Sequence, residues 1–160
     1  MARGCILLMV ITSYLNYQTN IIGSTQTRAY AVLREHVKSV LEEFDLTPTS
    51  WSMIGIVSDA RDGIRPAEVA RVMNVKAPLI TLLTRDIEAR GIIQISSNQV
   101  DARAKLLSIT SKGKKIVRSI NSKLNVVLEP LLEGLEDKDI QSYYKVLTTI
   151  VENGSTSKQS

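Results

Sequence analysis

The placement of proline constrains this chain more than any other feature. There are four prolines in 160 residues, and three of them, Pro48, Pro66 and Pro78, stand where a helix would begin. Proline's fixed φ suits the first helical turn, and its missing N–H is one that no helix uses there. Thr47-Pro48 supplies a cap and a start for a short helix through Trp51, Ile54 and Val57. Arg65-Pro66 begins a second, ending near Met73, with Val69, Ala70 and Met73 as its apolar side and Asn74 able to take the left-handed conformation that stops it. Ala77-Pro78 begins a third, running to Arg90, with Leu79, Ile80, Leu83 and Ile87 apolar and Gly91 as its stop. Two helices joined by so short a turn have the spacing of a helix-turn-helix.

The flanks read differently. Over residues 24–44 the apolar positions Tyr30, Leu33, Val37, Val40, Leu41 and Phe44 recur at three and four, one stripe of an amphipathic helix, with Ser24 and Thr25 as candidate caps. The first 22 residues fit either an extension of that helix or a disordered start. After Gly91 the period falls to two in Ile92-Ile93-Gln94-Ile95 and Leu106-Leu107-Ser108-Ile109, with turn composition at Ser96-Ser97-Asn98-Gln99, which predicts a β-hairpin. A long helix follows from about Ser111 to Leu132, with Ile116, Ile120, Leu124, Val127, Leu128 and Leu131 inward. Pro130 weakens its last turn and Gly134 breaks it. A last helix from about Asp137 is expected to bury Ile140, Tyr143 or Tyr144, Leu147, Ile150 and Val151, and a flexible tail to occupy residues 153–160. Trp51 and the methionines read as core. The fold class is mainly α with a small β-hairpin wing (α+β).

Composition removes several functions. One cysteine and one histidine exclude a disulfide framework, a CxxC site and multi-histidine metal centres, and His36 has no second ligand type near it in sequence. The eight glycines are too scattered to write GxGxxG or GxxxxGK[ST], so no cofactor or metal is expected. No nucleophile-base pair or carboxylate cluster marks an enzyme. The longest near-continuous apolar stretch, Cys5 to Ile11, is too short to span a membrane. With Arg3 before it the stretch faintly resembles a signal peptide, but Thr12, Ser13 and Asn16 interrupt it, and the expectation is a cytoplasmic protein.

The net charge of +4 is unevenly spread. From Arg61 to Arg118 there are twelve basic and five acidic residues, a surplus of seven, while the remainder carries eight basic and eleven acidic. A basic middle between acidic flanks is what a nucleic-acid-facing module held by non-binding scaffolding looks like. The bland alternative is a solvated helix face.

Helices, a helix-turn-helix, a hairpin and two more helices amount to a winged helix-turn-helix embedded in a helical frame. In this order the segments Leu46-Thr47-Pro48-Thr49-Ser50-Trp51, Pro66-Ala67-Glu68-Val69-Ala70, Val75 through Glu88-Ala89-Arg90-Gly91-Ile92-Ile93, and Asp101-Ala102-Arg103 through Leu107-Ser108-Ile109-Thr110-Ser111-Lys112-Gly113 resemble the MarR family of bacterial transcriptional regulators. The resemblance covers about residues 24–152, and its most specific part is the DxR wing followed by (L/I)T-x-x-G. The resemblance implies a homodimer that represses from a palindromic double-stranded DNA operator and is released by a small, mostly aromatic ligand. It also implies four regions: an N-terminal dimerisation helix region (1–45), a winged helix-turn-helix (46–112), C-terminal dimerisation helices (113–152) and the tail (153–160).

Candidate DNA contacts follow. On the recognition helix the first turn and outward face are Lys76, Ala77, Pro78, Thr81, Leu82 and Arg85. Lys76 and Arg85 reach guanine edges or phosphates, and Thr81 a thymine methyl or a phosphate. The sequence departs from the family pattern at Leu79 and Leu82, and Leu82 either meets thymine methyls or packs internally. Arg103 matches the wing arginine drawn into a narrow minor groove, with Asp101 able to hold it from the same strand face; a surface ion pair is the bland reading. Lys105, Arg65 and Lys112 are candidate phosphate contacts. Two alternatives stay open. Leu79 and Leu82 fit a winged-helix protein-interaction module without DNA binding, and Cys5, with Tyr14, Tyr17 and Tyr30, matches family members that sense peroxide. Against the latter, Cys5 sits in an apolar run where a thiol is not activated.

Overall fold

The computed structural model describes residues 3–97 and 105–156, with the backbone path alone for residues 3–22, Ser97 and residues 155–156. Its elements are α1 (Arg3–Glu42), α2 (Pro48–Asp59), α3 (Pro66–Val72), α4 (Ala77–Ala89), β1 (Ile93–Ser97), β2 (Lys105–Ile109), α5 (Ser111–Leu128), a 3₁₀ turn (Glu129–Leu132) and α6 (Asp137–Thr156). They form two compact units that meet in sequence at Val127 and Leu128.

The first unit is built around three short helices and the hairpin. Thr47 caps α2 by accepting the Ser50 amide at 3.1 Å, and Pro48 opens it. That orientation sends Met53, Ile54 and Val57 fully inside. Val69 and Ala70 from α3, Ile80 and Ile87 from α4, Ile92, Ile93 and Leu107 from the hairpin, and Ile120 and Leu124 from α5 complete the core. Fully burying side chains of this size contributes about 1.5 to 3 kcal/mol each, an upper bound, and this is the main force holding the unit together.

The α1, α3 and α4 helices end in one way. At α1 the Leu46 amide reaches the Leu41 carbonyl and the Asp45 amide that of Glu42, with Asp45 at φ 52°. At α3 Val75 reaches Ala70 and Asn74 reaches Arg71, with Asn74 at φ 51°. At α4 Ile92 reaches Ile87 and Gly91 reaches Glu88, with Gly91 at φ 68°. Such left-handed closures satisfy carbonyls that the helix itself leaves open, and a glycine takes that conformation without a Cβ penalty.

The hairpin pairs Ile93 with Ile109, Ile95 with Leu107 and Ser97 with Lys105. A third, one-residue strand joins it, because Ile64 and Leu107 exchange backbone hydrogen bonds of 3.0 and 2.8 Å. No periodicity marks a single residue, so this strand is invisible in sequence.

Several expectations change. Of the two alternatives for the first 22 residues, extension of the helix holds: α1 runs without a break from Arg3 for 40 residues, and Ser24 and Thr25, expected as caps, lie in its interior, since capping residue types do not stop a helix already formed. The helix after Ser111 is α-helical only to Leu128 and tightens to 3₁₀ over Glu129–Leu132, because Pro130 cannot donate to the preceding turn. Residues 153–156 continue α6 where a flexible tail was expected; Gly154 costs helix stability but does not by itself end a helix, and residues 157–160 lie outside the described ones.

The apolar stripe of α6 is exposed. Ile140, Tyr143, Tyr144, Ile150 and Val151 stand open, Leu147 is half-buried, and Leu131 before them is exposed too. Periodicity reports an apolar face and does not report what covers it. Trp51 is likewise only half-buried, while Met53 is core.

Candidate nucleic-acid interface

Burial of Ile80, Thr84 and Ile87 fixes which face of α4 points out. Positions 78, 82 and 85 fall on the opposite face by the 3.6-residue period and 81 at its edge, while 77, seven residues before Thr84, is open only because it stands in the first turn. Ala77, Pro78, Thr81, Leu82 and Arg85 are all exposed, and Leu82 is 66% exposed, which removes the reading that it packs internally. Leu79 is exposed as well. The Thr81 hydroxyl donates to the Ala77 carbonyl at 3.2 Å, so its proton is committed inside the helix and the side chain offers an apolar and accepting surface.

The two cations at the helix starts sit alike. Arg65 is the N-cap residue of α3 and Lys76 that of α4; both are exposed, and neither makes a side-chain cap hydrogen bond. The first turn of α4 holds no acidic residue. Its positive dipole end is thus reinforced by Lys76 instead of neutralised, an arrangement that favours an anion such as a phosphate. Acidic Asp86 and Glu88 come only in the last turns of α4, where Arg85 and the C-cap Arg90 offset them, so no carboxylate opposes Lys76 at the helix start.

The remaining candidates divide. Lys105 is exposed on β2 opposite Ser97, towards the hairpin tip. Asp101 and Arg103 lie outside the described residues. Cys5 is on α1 where the backbone alone is described. Lys112 does not join the cluster. Its ammonium donates to the Arg90 carbonyl at 2.7 Å, at the C-terminal end of α4. A 13-residue helix is about 20 Å long, so Lys112 stands about that far from Lys76 along it.

One tertiary link at the end of α4 escaped the sequence reading. Arg90, the C-cap of α4, donates from one guanidinium nitrogen to the Asp45 carbonyl at 2.7 Å and from the other to that of Phe44. The available signal was weak: a basic residue directly before a helix-stopping glycine. Phe44, Asp45, Arg90, Ile92, Lys112 and Ile116 line a cleft of about 350 Å³.

No family model matches the sequence. Solved structures do match the backbone. CouR from Rhodococcus jostii RHA1, bound to p-coumaroyl-CoA, superposes with a TM-score of 0.73 at 22% identity, covering 81% of this chain and 90% of that one. A MarR-family transcriptional regulator from Rhodococcus sp. RHA1 gives 0.72 at 20% identity over 82% and 93%. This chain has the MarR-type fold. A mutant MepR from S. aureus bound to an oligodeoxyribonucleotide shares it more distantly, at a TM-score of 0.60 and 19% identity over 82% and 96%. In the MarR-type fold of this chain, α3 and α4 form the helix-turn-helix and β1, β2 and Ile64 the stem of the wing. No described helix is long and apolar enough to cross a membrane.

Proposed function

We propose that the chain is a sequence-specific double-stranded DNA-binding transcriptional regulator, working as a homodimeric repressor in the cytoplasm. The observation that carries this reading is the outward face of α4, where Lys76, Thr81, Leu82 and Arg85 are exposed around an N-terminus without acidic residues. The neighbour bound to an oligodeoxyribonucleotide lends the reading further support. In it Lys76 and Arg65 position the helix on phosphates, Arg85 reads a base edge, and Leu82 meets thymine methyls in the major groove. Lys105 follows the backbone, and Arg103, held by Asp101, enters the minor groove.

Dimerisation falls to residues 1–45 and 113–152, and a two-fold pair would meet palindromic half-sites about 34 Å apart. Exposed Tyr30 on α1 and the exposed apolar face of α6 supply surface for a second copy. The cleft lined by Arg90, Lys112, Phe44 and Ile116 is the candidate seat of a releasing ligand, by analogy with the ligand-bound CouR.

Titration of a labelled duplex from the promoter of the chain's own operon tests the reading. Affinity should fall steeply with salt, by about 0.9 log units per log unit of salt for each phosphate neutralised. Salt-independent binding, or none to any duplex, overturns it. Exposed Leu79 and Leu82 favour one second reading, a winged-helix module that binds protein, and that outcome would leave duplex affinity absent while a protein partner is retained.

A further inference from the structure

We propose that Arg90 is the positioning residue that sets the angle of α4 against α1, so that operator affinity runs through a side chain that touches no DNA. The link to affinity rests on the DNA-binding reading above; the link to geometry does not.

The C-terminal closure of α1 uses the carbonyls of Leu41 and Glu42 and leaves those of Phe44 and Asp45. These two consecutive carbonyls receive the two arms of the Arg90 guanidinium, 46 and 45 residues away in sequence. A planar fork on two acceptors fixes direction as well as distance, which a single ammonium cannot do. The positive charge also complements the negative end of the α1 dipole.

Arg90 is held in turn from the other side. Its carbonyl accepts the Lys112 ammonium at 2.7 Å, from the first turns of α5. Further along α5, Lys123 pairs with Glu43 and lies 5.9 Å from the centre of the Phe44 ring. The turn that closes α1, residues 43–45, is therefore gripped by Arg90 at the end of α4 and by Lys123 of α5, and the two grips are tied by Lys112. The pivot lies at the end of α4 remote from Lys76. A rotation of 10° about it would move Lys76 by roughly 3.5 Å, further than a hydrogen bond tolerates.

The test uses the full chain with Cys5→Ser and nitroxide labels at Lys38→Cys on α1 and Glu88→Cys on α4, diluted with unlabelled chain so that distances within one protomer are read. Arg90→Gln should broaden the narrow α1–α4 distance distribution, and Arg90→Lys should recover part of it. On an operator duplex Arg90→Gln should bind at least about tenfold more weakly with the salt slope of the parent, since no phosphate contact is lost. An unchanged distance distribution overturns the proposal, and so does a weakened complex whose slope drops by about 0.9, which would make Arg90 a direct contact. A parent chain that binds no duplex sinks the DNA reading alone, because the spin distances still judge the pivot. If Arg90→Gln does not fold, Arg90→Lys and Lys112→Met carry the same two readouts.

Discussion

The amide of Gly113 donates to the Thr110 hydroxyl at 2.9 Å, and the same hydroxyl donates to the Gly91 carbonyl at 2.7 Å. Thr110 thus starts α5 and ties it to the closure of α4, while Gly113 lets the new helix approach the hairpin. A β-carbon on Gly113 would lie 2.1 Å from the Ile92 carbonyl oxygen and 2.6 Å from Ile109 Cδ1. The first contact is to backbone and has no side chain that can swing away. Gly113→Ala should therefore destabilise by about 3 kcal/mol or more, the upper range for overpacking. Thermal unfolding should show a midpoint lower by roughly 10 °C; a shift below about 2 °C would mean the approach is looser than described.

Thr84 carries the opposite lesson. It is 6% exposed on the inner face of α4, and its hydroxyl oxygen has no hydrogen-bond partner. Leaving a buried hydroxyl unpaired costs about 1 to 3 kcal/mol, and valine has nearly the same shape. Thr84→Val should raise chemical-denaturation stability by about 1 kcal/mol and leave duplex affinity unchanged, because residue 84 faces away from the exposed side of α4. Loss of stability in that variant would show that the hydroxyl is in fact satisfied, for example by water.

These two residues mark what was legible in the sequence. Punctuation was readable, because proline and left-handed backbone are local steric facts: Pro48, Pro66 and Pro78 open helices, and Asn74 and Gly91 close them. The outward face of α4 followed from its period. Long-range partners were not readable, since nothing near Arg90 in sequence points to Phe44 and Asp45, and nothing near Lys112 points to Arg90. For α1 the extension through the first residues was one of two open alternatives, and only Ser24 and Thr25 were misread, as caps instead of interior positions. The α6 stripe was seen but its covering was assumed to be internal.

Lys76 and Leu82 separate positioning from reading. Lys76→Ala removes a candidate phosphate contact, so affinity should fall by about 1 to 2 kcal/mol on operator and random duplex alike, with the salt slope reduced by about 0.9. Leu82→Ala removes only apolar surface, so its slope should match the parent and its loss should be confined to the operator. Equal losses on both duplexes for Leu82→Ala would move that residue from base reading to general packing against the backbone.

The exposed stripe of α6 gives the last prediction. Ile140, Tyr143, Leu147 and Ile150 are spaced by three, four and three residues, the seam of a helix made to meet another helix, and Tyr143 and Ile150 are 52% and 63% exposed. Apolar positions at this spacing and exposure are stable in water only when something covers them. A second copy is the occupant proposed above. Tyr143→Glu combined with Ile150→Glu should place charge in the middle of that contact and convert a dimer of about 35 kDa, twice the 17.7 kDa chain, into a monomer by light scattering. Helicity of the first unit should persist, because its core is built from its own residues Met53, Ile54, Ile80 and Leu107. Operator affinity should collapse with the dimer, since one half-site loses the second as its neighbour. A double variant that stays dimeric would place the contact between copies elsewhere, with the surface of α1 around exposed Tyr30 to probe next.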